Sequence, residues 1–270
     1  MRTRILLTAV SFVMLAACNN LQEAEEAAGQ FPVAASVWGT VNADNVPVSR
    51  VANDVWETGD AIGITGKSGN VEYVNKRYDF SKGSSFIPAG EIIYYIDKKT
   101  VEFSAYHPFN ETGGAFKVNV SNQNESKNFD YLYATAEGSE AAPLLDFKFR
   151  HQMCKVVLNF LPGSGFAEDA DFSNGIIRFA SLHPTGTFNT ITGSAEINAE
   201  EAGGLEFIAG TTIVPAGNTY SFILLPETVS GGVALSFIQE DGTVYEGASL
   251  TGKESADLAL TPGKVYEYNV

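Results

Sequence analysis

The chain has 270 residues, with 17 Lys and Arg against 32 Asp and Glu, a formal charge of −15, two cysteines and 44% hydrophobic residues. That charge repels nucleic acid and anionic lipid headgroups, so neither is a fitting partner. The length and apolar content suffice for one large or two modest folded units.

The chain opens with a basic start, Met1-Arg2-Thr3-Arg4, and an apolar stretch from Ile5 to Ala17. The stretch is too short to span a bilayer and has the form of a secretory signal. Leu15-Ala16-Ala17-Cys18 has the spacing of a bacterial lipobox, so residues 1–17 read as a lipoprotein signal peptide and Cys18 as the lipidated mature N-terminus. Its removal leaves 15 basic against 32 acidic residues, and lipid on Cys18 leaves Cys154 without a disulfide partner. Residues 18–30 are polar and acidic and read as a tether. Asn rather than Asp at position 19 favours the outer membrane, and Glu23, Glu25 and Glu26 resemble the acidic tracts of surface-exposed lipoproteins.

From Phe31 onward apolar residues alternate, the period of half-buried strands. Phe31-Val33-Ala35-Val37 share one face. Val101, Phe103 and Ala105 oppose Glu102, Ser104 and Tyr106. Phe116, Val118 and Val120 follow, then Tyr220, Phe222 and Leu224, and Val233, Leu235 and Phe237. Asp241-Gly242 marks a hairpin. The only helical signal is one turn over 166–172, and a Pro-Ala-Gly turn precedes an aromatic strand at both Pro88 and Pro215. These patterns predict an all-β protein of two tandem antiparallel β-sandwich domains, at 31–143 and 144–270, with the boundary near Ala141-Ala142-Pro143. Between Leu144 and Leu161 the inward face changes parity near residue 153, which predicts a bulge there or burial on both faces.

Chemical motifs are sparse. Ala61 to Ser68 matches the loosest phosphate-loop pattern, but a strand follows it where a helix is required, so it reads as a hairpin turn bearing Lys67. His107, His151 and His183 lack metal-ligand spacing, and Glu168-Asp169-Ala170-Asp171 lacks the frame of a calcium loop. Cys154 lies in an apolar run and reads as a buried thiol rather than a nucleophile. No catalytic, metal or cofactor residue is assigned, and a non-enzymatic role is expected.

Several elements recur in a fixed order: Trp56-x-x-Gly59-Asp60-x-Ile62-Gly63, Phe86-Ile87-Pro88 before Ile92–Ile96, Phe103-x-Ala105-Tyr106-x-Pro108, Asp130-Tyr131-Leu132-Tyr133, and His151-Gln152-x-x-Lys155-Val156. This series resembles the Mfa-like fimbrillins, subunits and accessory proteins of type V pili, over most of the exported chain. The resemblance implies transthyretin-like sandwiches, transport to the outer membrane as a lipoprotein held by lipid on Cys18, and a place at the cell surface or in a fimbrium. It also implies cleavage by an arginine-specific protease and loss of the first strand. A strand from another pilus subunit then fills the open groove by β-augmentation. On this chain Phe31–Val41 is the removable strand, and Arg50 with Val51 is the processing site. Residues 261–270 resemble the usual penultimate strand, which points to a minor, tip or terminal subunit. A surface ligand, protein or glycan, is a further expected partner. The alternative is a monomeric glycan-binding outer-membrane lipoprotein using Trp38, Trp56, Tyr94, Tyr95 or Tyr106.

Overall fold

The computed structural model describes residues 32–41, 55–201 and 203–270. The readings on the signal, the tether, Cys18, Arg50 and Val51 lie outside the described residues.

Strands dominate, in the order β1 (Val33–Ala34), β2 (Ser36–Val41), β3 (Ala61–Ser68), β4 (Val71–Lys82), β5 (Ser85–Pro88), β6 (Tyr94–Tyr95), β7 (Val101–His107), β8 (Ala115–Asn119), β9 (Leu132–Gly138) and β10 (Leu144–His151). There follow β11 (Cys154–Asn159), β12 (Ile176–Phe179), β13 (Thr185–Asn189), β14 (Ala195–Ile197), β15 (Leu205–Ile208), β16 (Thr219–Leu224), β17 (Glu227–Val229), β18 (Val233–Ile238), β19 (Val244–Leu250), β20 (Leu258–Leu260) and β21 (Val265–Asn269). A 3-10 segment at Gln123–Asn128 is the helical element among the described residues. In place of the helical turn expected over 166–172 there is a reverse turn at 167–170, closed by the Ala170 N–H to the Ala167 carbonyl at 3.1 Å, and the Phe166 and Phe172 rings pack edge to face at 5.1 Å beside the second core.

Seven strands close on themselves in the order β10-β2-β5-β4-β3-β7-β9. Every pairing in this ring is antiparallel except β2 with β10. Alternation turns Val37, Ile62, Ile64, Phe103, Phe147 and Phe149 into one apolar core. A second core gathers Val156, Leu158, Phe179, Phe207, Phe222 and Leu235 from the sheets β16-β11-β21 and β15-β12-β18-β19. Each fully buried side chain of this size contributes about 1.5–3 kcal/mol of transfer free energy.

The two cores do not divide the chain at Pro143. The strand expected to open the second unit, β10, pairs with β2 and β9, and its Leu145, Phe147 and Phe149 belong to the first core. Conversely β8 pairs with β13, and Val118 and Val120 sit in the second core. The parity change near residue 153 is therefore neither a bulge nor double burial. One strand ends at His151, another starts at Cys154, and the two serve different sheets. At the break, the Gln152 N–H donates to the Tyr131 carbonyl (2.8 Å) and the Gly263 N–H to the Met153 carbonyl (2.9 Å).

Three local readings also change. Tyr106, placed on the outer face of β7 by alternation, is 1% exposed and packs in the second core near Phe188. That strand therefore serves both cores. Residues 61–68 are a strand throughout, and the turn falls at Gly69-Asn70, with Gly69 at φ +57°. The strand Ile92–Ile96 shrinks to β6, which among the described residues pairs with β1 alone. The Asp241-Gly242 hairpin forms between β18 and β19, with Gly242 left-handed at φ +86° and the Asp241 carboxylate accepting the Thr243 N–H at 2.8 Å.

Candidate strand-acceptor groove and adjoining cleft

β2 lies between β10 and β5. Its parallel register with β10 runs from Leu144 against Ser36 to Phe149 against Val41. Its antiparallel side pairs Val37 with Phe86 and Trp38 with Ser85. Flanking backbone bonds extend the seat: the Ala35 N–H donates to the Ile93 carbonyl, Ser36 N–H to Pro143 and Gly39 N–H to Ser84, at 2.8–2.9 Å. A parallel neighbour is never delivered by a tight hairpin, so β2 enters this sheet as a separate strand.

The inward face of β2 carries Val37 and Gly39, while Trp38 points outward and is 49% exposed. A Cβ on Gly39 would meet Phe149 at 2.9 Å and Phe86 at 3.0 Å, so only glycine lets those rings close over the strand. Trp56 clamps this point. Its Nε1–H donates to the Gly39 carbonyl at 2.8 Å, and its ring meets Phe86, His107 and Phe149 edge to face at 5.0–5.3 Å. The turn that positions Trp56 is set by Asp60, whose Oδ2 accepts the Glu57 N–H at 2.7 Å, and by Gly59 at φ +103°. Without β2, the groove would present Phe86, Leu145, Phe147 and Phe149 together with two open strand edges.

The sequence motifs gather beside this groove. His107 Nδ1 lies 2.9 Å from the Ala61 carbonyl and the following bond to Pro108 is cis. Burial lowers the His107 pKa, against the opposing pull of the Ala61 carbonyl and of Asp60 and Asp130. His151 Nδ1 meets Asp130 Oδ1 at 2.9 Å, which joins two motifs that are 21 residues apart. With Trp56, Arg77 and Lys155 these residues line a cleft of about 530 Å³ that borders both cores. His183 is elsewhere, with Nδ1 at 2.8 Å from Glu227 Oε2.

The other sequence-based residues are dispersed. Cys154 is fully buried, and burial, with the Glu227 charge adding to it, pushes its thiol far up. Of Glu168-Asp169-Ala170-Asp171, the three acids are exposed, and the Asp171 carboxylate is lowered by hydrogen bonds from Ser173. Among the described residues no three His, Cys, Asp or Glu side chains cluster as metal ligands. Of the five proposed sugar platforms, Trp56, Tyr95 and Tyr106 are buried and Tyr94 is half-buried, leaving Trp38.

Sequence reasoning missed two residues. Gly39 has a legible signal, a glycine at an inward position of an alternating strand. Gln123 has none: its carboxamide accepts the Ile223 N–H (2.8 Å) and donates to the Ile223 carbonyl (3.0 Å), closing the edge of β16 from 100 residues away.

Two solved structures of Bacteroides proteins share this fold. One, of a Bacteroides uniformis protein assigned to cell adhesion, is 25% identical, has a TM-score of 0.70 and covers 88% of this chain and 93% of its own. Another, of a Bacteroides ovatus protein with the same assignment, is likewise 25% identical with a TM-score of 0.70, over 88% and 92%. The profile of the family described as fimbrillin-like matches residues 49–270, and the chain belongs to that family. The assigned fimbrium subunit Fim1C of Bacteroides uniformis is 29% identical over 206 residues, which is 70% of this chain. The chain spans 65% of the length of that relative. Strands β1 and β2 precede the part matched by the family profile.

Proposed function

We propose that this chain is a non-enzymatic structural and adhesive component of a surface fimbrium, and that β2 is a replaceable strand. The precursor is anchored in the outer membrane by lipid on Cys18. Cleavage between Arg50 and Val51 frees the segment that carries β2. A strand of another subunit then occupies the groove between β5 and β10. Each of the two cores corresponds to one sandwich unit of the family.

The observation that carries this reading is the seating of β2. It contributes apolar side chains to the first core, bonds to strands on both sides, and is held at Gly39 by the Trp56 indole. An incoming strand with a small residue at the Gly39 position and an apolar one at the Val37 position would satisfy the same groups. β-Augmentation needs this combination of open backbone and alternating pockets. The fimbrial assignment of the relatives is in keeping with it.

The test is the mature N-terminus of the native protein in membrane and sheared-surface fractions, read by intact mass and terminal sequencing. The expected result is a chain starting at Val51 in high-mass sheared material, and its loss in an Arg50→Ala strain. A chain that begins only at Cys18 and stays with the membrane would refute strand replacement.

A further inference from the structure

An apolar pocket opens at one side of the second core. Its floor is Phe160, Phe172, Leu235 and Phe237, and its wall is the pair Phe166 and Tyr245, whose rings meet at 5.2 Å. The three floor rings lie 5.0–5.9 Å from one another. The floor is almost fully buried, whereas Tyr245 is 36% exposed and Leu161, on the rim, 56%. The pocket lies between Val270, which follows β21, and Ala248 in β19, and each of these strands is the edge of its sheet. Its volume, about 250 Å³, is below the range of about 300–1,000 Å³ usual for small-molecule sites. That size suits an apolar side chain of a larger partner rather than a whole ligand. Apolar surface rimmed by polar groups is the mark of protein–protein contact.

The charge around the pocket selects the partner. The segments that form it are 160–175, 233–250 and 265–270. They carry three acids at 168–171, three at 240–246 and Glu267, and no Lys or Arg. One of these acids is aimed by a bulge. Glu246 and Gly247 of β19 oppose the single residue Ser236 of β18, with Gly247 left-handed at φ +104°. Tyr245 and Glu246 therefore both line the pocket, where a regular strand would send them to opposite faces. The Glu246 carboxylate makes no hydrogen bond or ion pair among the described residues. Beside an aromatic wall it attracts a cation through its charge, and the rings add to that attraction.

These features decide among occupants. A second copy brings the same acidic rim and a net charge of −15, which opposes self-docking. The acidic segment 18–30 and anionic lipid are repelled in the same way. A small amine would answer one carboxylate and leave the apolar floor uncovered. We infer that this pocket docks a segment of another protein in which apolar side chains are flanked by Lys or Arg, with an apolar side chain seated on Phe160, Phe172 and Phe237 and a cation beside Glu246. The pocket belongs to the second core and β2 to the first, so the inference does not depend on strand replacement.

The experiment is calorimetric titration of the full chain with the peptide Lys-Leu-Lys-Leu-Lys-Leu-Lys at about 20 and 200 mM salt. Two control peptides carry Ser for every Leu, or Glu for every Lys. The expected result is saturable binding of the Lys–Leu peptide that weakens at high salt, at least about 10-fold weaker binding of the Ser control, and no saturation by the Glu control. Glu246→Lys is expected to weaken binding at least about 3-fold, with an unchanged thermal midpoint showing that the fold is retained. Leu161→Ser, on the exposed rim, should weaken it as well. Glu72→Lys, the same charge change on β4 of the seven-strand ring, should leave affinity within about 2-fold. Four results would each overturn the assignment: no saturation by the Lys–Leu peptide at about 1 mM, equal affinity for the Ser control, undiminished binding in a folded Glu246→Lys variant, or equal weakening by Glu72→Lys. A dimer in sedimentation that Leu161→Ser disperses would also overturn it, in favour of a second copy.

Discussion

At the scale of single residues, the cores are defined as much by what is missing as by what is present. Gly63 lies opposite Tyr106 on β7, and a Cβ there would run into the Tyr106 ring. That absent methyl lets Tyr106 reach Asn75 Oδ1 and the Asn110 carbonyl, each 2.8 Å from its hydroxyl, while its ring serves the second core. Gly63→Ala is therefore expected to destabilise by about 1–3 kcal/mol through overpacking, measured by urea unfolding. A change below about 0.5 kcal/mol would show that the ring moves freely. The buried phenols define a second residue-level test. Burial pushes Tyr95, Tyr131 and Tyr220 up from 10.0 to about 12. In the unfolded chain they lose their protons near pH 10, whereas the native state holds them to about 12. Their stabilising contribution is complete below pH 10 and is lost as the pH rises through 12. Unfolding free energy should fall across that window, and ultraviolet titration should show these phenols ionising together with unfolding. A normal titration near pH 10 in the folded protein would contradict their burial.

At the scale of elements, β2 depends on contacts made by a residue in a different segment. Trp56→Phe keeps an aromatic ring near Phe86, His107 and Phe149 but removes the donor to Gly39. The unsatisfied carbonyl is expected to cost about 1–3 kcal/mol, concentrated in β2. Hydrogen exchange should read faster at Gly39 and its neighbours than in β3, and an equal effect across the ring would mean that Trp56 does not act on β2 in particular. How much of this was legible in the sequence depends on range. The alternation of Val33 to Val37, of β16 and of β18 reads directly, because half-buried strands expose their period locally. The Trp56–Gly63 motif and the Asp241-Gly242 hairpin also read directly, because both are built from neighbours. The partner of β2 was not legible, since parallel pairing with β10 spans more than 100 residues and leaves no local mark. Nor was the role of Tyr106, since alternation assumes one buried face and β7 has two. The parity change near 153 was seen, but a change of sheet and a bulge look alike along the chain. The cleft is the extreme case: its cations come from β4, β11 and the 3-10 segment, and only folding brings them together.

At the scale of the whole molecule, the proposed strand replacement makes a thermodynamic claim that needs no partner subunit. While the chain is intact, the covalent link makes the docking of β2 an intramolecular event. After cleavage at Arg50 it becomes a separate ligand, and its contribution then depends on total concentration. Arg77, Arg150 and Arg178 lie in β4, β10 and β12, where ladder bonds protect the backbone, so a brief exposure to an arginine-specific protease should cut first at Arg50. The thermal midpoint of the intact chain should not depend on protein concentration. That of the cut chain should rise with concentration, and a synthetic peptide spanning Val33–Val41 in excess should raise it further. The peptide with Val37→Asp should not, because the charge would enter the core beside Phe86 and Leu145. A cut chain whose midpoint ignores both concentration and peptide would mean that β2 is not exchangeable on the timescale of the measurement, and the groove would then be a fixed part of the fold rather than an acceptor.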